Sequence, residues 1–202
     1  MRKIVVQEFI SLDGVIQAPG RPDEDTTGEF KLGGWVAPYF QDADAQANEF
    51  MERNLMATDL LMGRNTYKIF ADYWPDHSDK WPGINEVTKY VVTDHLVELS
   101  WVNSEQISDD VIAKIKKLKD GEGSVLKVIG SSVLAQTLLE HDLVDELVLM
   151  IFPVILGAGK RLFADGSHPA AFSMTESVVT SNGVFLASYT RAGDVKTGIV
   201  GD

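Results

Sequence analysis

An α/β fold with a mixed, mainly parallel sheet covered on both faces and ended by a C-terminal antiparallel hairpin is what this 202-residue sequence predicts. Three observations lead there. Short apolar runs alternate with segments of helical period along most of the chain, a pattern that implies parallel strands joined by crossovers. Two of the strand-like runs stop on a glycine that leads straight into a helix, at Met62-Gly63-Arg64 and at Ile129-Gly130-Ser131. Near the end, Ser181-Asn182-Gly183 separates two further strand-like runs, which is a hairpin signal.

Taken in order, Lys3 to Phe9 opens the sheet, and Asp13-Gly14 supplies a tight bend. Residues 17–38 are rich in Gly, Pro, Asp and Glu and read as a long loop, with Phe30 and Trp35 available to close over an apolar surface. Phe40, Ala43, Ala47, Phe50, Met51 and Met56 approximate a helical stripe. Leu60 to Met62 is a short strand, and Arg64 to Tyr73 a helix that stops before Pro75. Residues 74–88 read as a polar connection. Lys89 to Thr93 is a strand, and Ser108 to Lys119 a helix that Ser108 can cap. Val125 to Ile129 is a strand, Ser131 to His141 a helix, and Val144 to Phe152 the most apolar strand. Phe172 to Thr180 and Val184 to Tyr189 form the hairpin. The expected organisation is one domain over residues 1–191 with a frayed tail at 192–202.

Composition narrows the function classes. Apolar residues make up 45% of the chain, enough for a full core. Eighteen lysines and arginines face 30 aspartates and glutamates, a formal charge of −12, which argues against nucleic acid as a partner. Cysteine is absent, so there is no disulfide framework and no thiolate nucleophile. The apolar run Leu147 to Leu156 is too short for a membrane span, and the first residues carry no signal-peptide pattern, so a cytoplasmic protein is expected.

The two glycine junctions carry the chemistry. A helix start exposes N–H groups with no intrahelical partner and the positive end of the helix dipole, so it favours phosphate. Gly63 lets a ligand approach the backbone, Arg64 adds a fork of donors, and Asn65 and Thr66 add polar groups at the first turn. Gly130, Ser131 and Ser132 repeat this arrangement. Each junction alone equally fits an ordinary strand–helix corner, whereas two in one α/β chain point to an extended diphosphate ligand. Neither contains a Walker lysine, and no GxGxxG fingerprint occurs.

With Ser11-Leu12-Asp13-Gly14, Leu61-Met62-Gly63-Arg64-Asn65-Thr66-Tyr67, Ile129-Gly130-Ser131, Leu143-Val144-Asp145-Glu146-Leu147, the run Pro153 to Gly159, and Leu162-Phe163, the chain resembles the bacterial family related to dihydrofolate reductase and to the C-terminal reductase domain of the bifunctional riboflavin-synthesis deaminase/reductase. The resemblance spans roughly residues 2–190. It implies a dihydrofolate reductase-like three-layer α/β/α fold, a reduced nicotinamide cofactor, a small-molecule substrate and a homodimer. It places Gly63, Arg64, Asn65, Thr66, Gly130, Ser131 and Ser132 on the cofactor phosphates and ribose, and Thr93 at the adenosine ribose. NADPH is the expected cofactor, and NADH stays open because Asp94 would repel a 2′-phosphate if it pointed inward. Ser131 stands where relatives often carry a second glycine.

The same resemblance puts Gly14, Val15 and Ile16 beside the nicotinamide and substrate pocket, with Trp35 either closing it or anchoring the loop, and Phe50 on the neighbouring helix. Folate-reducing relatives carry an acid on that helix. Here Asp44, Glu49 and Glu52 read as solvent-facing charges, so Asp13 is the candidate acid, although an Asp-Gly turn residue usually bonds its local backbone. His77, His141 and His168 show no metal-ligand pattern. The expected function is hydride transfer to a small pteridine- or pyrimidine-like heterocycle or a carbonyl compound. A cofactor-binding regulatory or scaffold module without efficient proton transfer is the alternative.

Overall fold

A computed structural model describes residues 1–40, 45–95 and 98–201. Eight strands form one sheet in the order β4-β3-β2-β5-β1-β6-β8-β7. They are β1 (Ile4–Ser11), β2 (Leu60–Gly63), β3 (Lys89–Val92), β4 (Ser104–Ile107), β5 (Leu126–Val128), β6 (Glu146–Phe152), β7 (Ala171–Val179) and β8 (Phe185–Gly193). The first six run parallel. β8 pairs antiparallel with β6 and with β7, so the C-terminal hairpin makes the sheet mixed.

Four helices cover the sheet: α1 (Ala45–Leu55), α2 (Arg64–Ala71), α3 (Val111–Asp120) and α4 (Ser132–Glu140). Residues alternate between faces along each strand, so every central strand feeds two cores. Ile4, Val6, Leu61, Leu126 and Val128 pack with Ile115 of α3 and Leu134, Ala135 and Leu138 of α4. Val5, Val148 and Met150 pack on the other face with Ala47 and Phe50 of α1. Leu60, Met62 and Val91 extend that second face under Tyr67 of α2. The result is the expected three-layer α/β/α arrangement.

Connection handedness locates the crevice. The crossovers through α1 and α2 move one way along the sheet, and those through α3 and α4 move the other way on the opposite face. The reversal falls between β2 and β5, the topological switch point where open α/β sheets bind ligands. These two strands share a single registered pair, Leu60 with Lys127, so their C-terminal ends separate.

Several sequence expectations need correction. β4 was not foreseen, because SEQI is a polar edge strand in which Ile107 alone is buried. α3 begins at Val111 behind Asp110, and Ser108 provides no cap. Of the proposed α1 stripe, Ala43 lies outside the described residues, and Phe40 and Met56 are exposed beyond the helix ends. Residues 74–88 are more than a polar connection, since Trp81 and Ile84 are buried in the core beside α2. The long loop is likewise folded, with Ala18, Phe30, Trp35 and Val36 buried. β8 continues to Gly193, two residues into the segment read as a tail.

Candidate active site

One cleft of about 1470 Å³ opens at the switch point. All eight residues assigned to cofactor binding line it: Gly63, Arg64, Asn65, Thr66, Thr93, Gly130, Ser131 and Ser132. The two glycine junctions are physically joined. The Gly63 N–H donates to the Ser131 hydroxyl at 3.0 Å, and that hydroxyl donates to the Thr66 hydroxyl at 2.9 Å. One serine therefore bridges the separated ends of β2 and β5 and sets the starts of α2 and α4 side by side.

Backbone geometry explains which residue type each position takes. Gly130 has φ +70°, a left-handed conformation that suits glycine, and a Cβ there would meet Thr66 Cγ2 at 3.4 Å. Ser131 has φ −92° and ψ 69°, which costs an L-residue little, so no second glycine is required at that position. Arg64 lines the cleft and makes no ion pair among the described residues. Thr93 and His95 line the cleft, whereas Asp94 is exposed and outside its lining.

The loop residues divide. Ile16 lines the cleft, but Asp13, Gly14 and Val15 do not. The Asp13 carboxylate accepts from the Ser11 hydroxyl at 2.6 Å and from the Leu156 and Gly157 N–H groups at 3.1 and 2.8 Å. Desolvation pushes its pKa up, yet these hydrogen bonds outweigh that and hold it down at about 2. An ionised carboxylate so engaged braces the residue 153–162 loop and has no proton to give near neutral pH. Gly14 O accepts from Leu162 N at 3.0 Å, and Val15 sits under Gly159, where an added Cβ would fall 2.7 Å from Val15 Cγ1. Trp35 anchors the long loop. Its indole N–H donates to Gln17 O at 2.9 Å, and its ring stands edge-on to Phe152. Phe50 is 1% exposed and supports the cleft wall from behind.

Sequence reasoning read the acids of α1 as solvent-facing and gave no role to Gln7, Glu8 or Lys127. On α1, Glu52 lines the cleft while remaining exposed, Glu49 does not line it, and Asp44 lies outside the described residues. On β1, Gln7 and Glu8 are each 2% exposed and both line the cleft. Glu8 accepts the Gly130 N–H through both carboxylate oxygens, at 2.8 and 3.0 Å. Burial pushes its pKa well above the usual carboxylate range, and the Gly130 bond only partly opposes this. Lys127 of β5 donates to the carbonyls of Asn54 and Met56 at the C-terminal end of α1, so a cation from the sheet fixes that end. The signal for Gln7 and Glu8 was two adjacent polar residues in a central strand, where a near-continuous apolar run is the norm.

The acids at the start of β6 form ion pairs. Asp142 pairs with Arg191, Asp145 with Lys119, and Glu146 with Lys3. His77 stacks on Tyr73 at 3.8 Å, and His141 sits against the Thr137 carbonyl at the end of α4. Among the described residues no group of three His, Cys, Asp or Glu is placed to hold a metal, and no helix is long and apolar enough to cross a membrane.

Comparison with known proteins agrees with this fold. The model of the RibD C-terminal domain matches residues 2–186, nearly the whole chain. The chain belongs to the RibD C-terminal domain family. Among curated relatives, YyaP of Bacillus subtilis strain 168 is 28% identical over 194 residues, covering 93% of this chain and 94% of YyaP. YwjB of the same organism is 26% identical over 165 residues, covering 80% of this chain and 83% of YwjB. A protein of Shewanella sp. PV-4 assigned to riboflavin biosynthesis superposes with a TM-score of 0.63 at 24% identity, over 94% of this chain and 99% of that one. Dihydrofolate reductase of Enterococcus faecalis, solved with NADP(H) and RAB-propyl, superposes with a TM-score of 0.58 at 17% identity, over 94% and 96%. These two likenesses establish the dihydrofolate reductase-like fold.

Proposed function

We propose that this oxidoreductase transfers hydride from NADPH to a small heterocycle of pteridine or pyrimidine type, or to a carbonyl compound. The observation that carries the reading is the union of two phosphate-favouring helix starts, joined through Ser131, in one cleft. Its 1470 Å³ exceeds the roughly 300–1,000 Å³ that one small ligand occupies, which leaves room for a dinucleotide and a second ring.

The donor set fits the cofactor. The first-turn N–H groups of α2 and α4, the Arg64 guanidinium and the Ser132 hydroxyl are placed for the diphosphate. Gly130 presents no side chain to it. Glu8 lies beneath this seat, where burial raises its pKa and so weakens its tendency to carry negative charge. Thr93 and His95 serve the 2′-phosphorylated ribose, and the outward Asp94 does not oppose them, which supports NADPH over NADH. When bound, reduced nicotinamide supplies the hydride. The chain supplies alignment and a dry enclosure, through Ile16 after β1 and the wall backed by Trp35 and Phe50.

The test is loss of absorbance at 340 nm when NADPH and the protein meet a panel of pteridines, pyrimidinones and quinonoid carbonyl compounds. Substrate-dependent oxidation is expected. A second reading, a cofactor-binding module without turnover, is favoured by the engaged, ionised state of Asp13. Tight NADPH binding with no oxidation across the panel would select it. We also propose a homodimer. The edge strand β7 leaves Met174 and Val179 exposed, and light scattering should give twice the chain mass.

A further inference from the structure

Gln7 does not match its surroundings. It stands on β1 between Val5 and Phe9 on one sheet face, and opposite Val148 of β6. Val5, Val148, Met150 and Phe152 belong to the apolar cluster under α1, and Phe9 packs against it. Gln7 is 2% exposed, and its Oε1 is buried without a hydrogen-bond partner among the described residues. A buried amide oxygen with no donor is a standing free-energy cost, which a donor arriving next to it removes. Gln7 lines the cleft together with Phe9, Met51, Met150 and Phe152, so the face it shares is open to a ligand. Two other orphaned atoms, Thr58 Oγ1 and Ser104 Oγ, belong to residues outside the cleft lining. Trp81 Nε1 is orphaned within the lining but can only donate.

We propose that Gln7 is the specificity-determining residue of the substrate site, and that its carboxamide pairs with the lactam edge of a flat heterocycle. The proposal rests on the reductase reading above. Oε1 accepts a hydrogen bond from the ring N–H, and Nε2 of the same planar group donates to the neighbouring ring C=O. Two parallel bonds of this kind read an edge that carries a donor beside an acceptor. Phe9, Met51, Met150 and Phe152 supply apolar contact for the ring faces. A simple carbonyl compound has no N–H to offer and would leave Oε1 unpaired. Gln7 thus separates the two substrate types named above and selects the heterocycle.

Calorimetric titration of the NADPH-saturated protein with two probe pairs tests this. One pair is lumazine and 1,3-dimethyllumazine, the other uracil and 1,3-dimethyluracil. Methylation removes the N–H and leaves the ring flat. The N–H form should bind about tenfold to a hundredfold tighter than its methylated partner. Gln7→Leu should abolish that preference while NADPH affinity stays as in the wild type and the melting temperature holds or rises, since the unpartnered amide oxygen is gone. Gln7→Met, the closer apolar match in length, serves if leucine disturbs packing. Equal binding of both forms, no binding of any of the four probes, or a preference that survives in both variants overturns the assignment. Weakened NADPH binding in the variants with the preference intact would give Gln7 to the cofactor and overturn it as well. A wild-type protein that binds no NADPH fails at the earlier step and takes the reductase reading with it.

Discussion

The Ser131 hydroxyl lies 2.9 Å from the Thr66 hydroxyl and 3.0 Å from the Gly63 N–H, and so fastens the starts of two helices that leave the sheet on opposite faces. Ser131→Ala removes both bonds at a site where Ser131 is 6% exposed. The lost hydrogen bonds predict a destabilisation of about 1–3 kcal/mol. If the junctions form one phosphate seat, NADPH affinity should fall with it. Thermal melts and calorimetry on one preparation check both. An affinity that holds while stability drops would mean that the bridge serves the fold alone.

Arg64→Ala should weaken NADPH and NADH alike, by about tenfold for the loss of one charge-assisted contact to a shared diphosphate. Asp94→Ser should leave the preference between the two cofactors unchanged, because Asp94 is exposed outside the cleft lining. Calorimetric titration of each variant with each cofactor decides both.

Glu8 makes alkaline conditions costly. Its folded pKa lies above the unfolded value, so the stabilisation from the neutral form is complete below about pH 4.5 and is lost as pH rises through the folded pKa. Glu8→Gln removes that titration, and the amide oxygen can still accept the Gly130 N–H. The variant should gain stability relative to the wild type as pH rises, with no gain at pH 4. Melting temperatures at fixed ionic strength from pH 4 to 9 measure this.

Asp13 behaves in the opposite sense. Its folded pKa of about 2 is below the ordinary aspartate value of 3.8, so its contribution is complete above pH 4 and disappears as pH falls through 2. Asp13→Asn should lower stability at pH 7 and flatten the acid limb of the melting profile. NADPH oxidation by the variant should persist at a reduced rate if Asp13 braces the loop. A loss beyond a thousandfold, with the fold intact by circular dichroism, would return the acid role to Asp13.

Legibility followed chemistry and position. β1, β3, β5 and β6 were readable because each holds a short, mainly apolar run between turn signals, and the hairpin because Asn182-Gly183 forms a turn. β4 was hidden because its partners are set by β3 and not by its own side chains. The two glycine junctions were readable because a glycine ending a strand just before a helix is a local pattern. The bridge between the two junctions was not, because Ser131 and Thr66 are brought together by the order β2-β5, which crossover handedness determines and no local segment records. Gln7 and Glu8 pass as ordinary polar positions until burial shows that neither faces water.

β5 is only three residues long, yet it governs both halves of the cleft. Its Lys127 holds the final turn of α1, whose Met51 lines the cleft, and three residues later Gly130 opens the second glycine junction. A displacement of this strand would move the C-terminal end of α1 and the Gly130 junction together. The spacing between that helix end and the Gly130 junction is therefore set by one short strand in the middle of the sheet, and not by the outer loops.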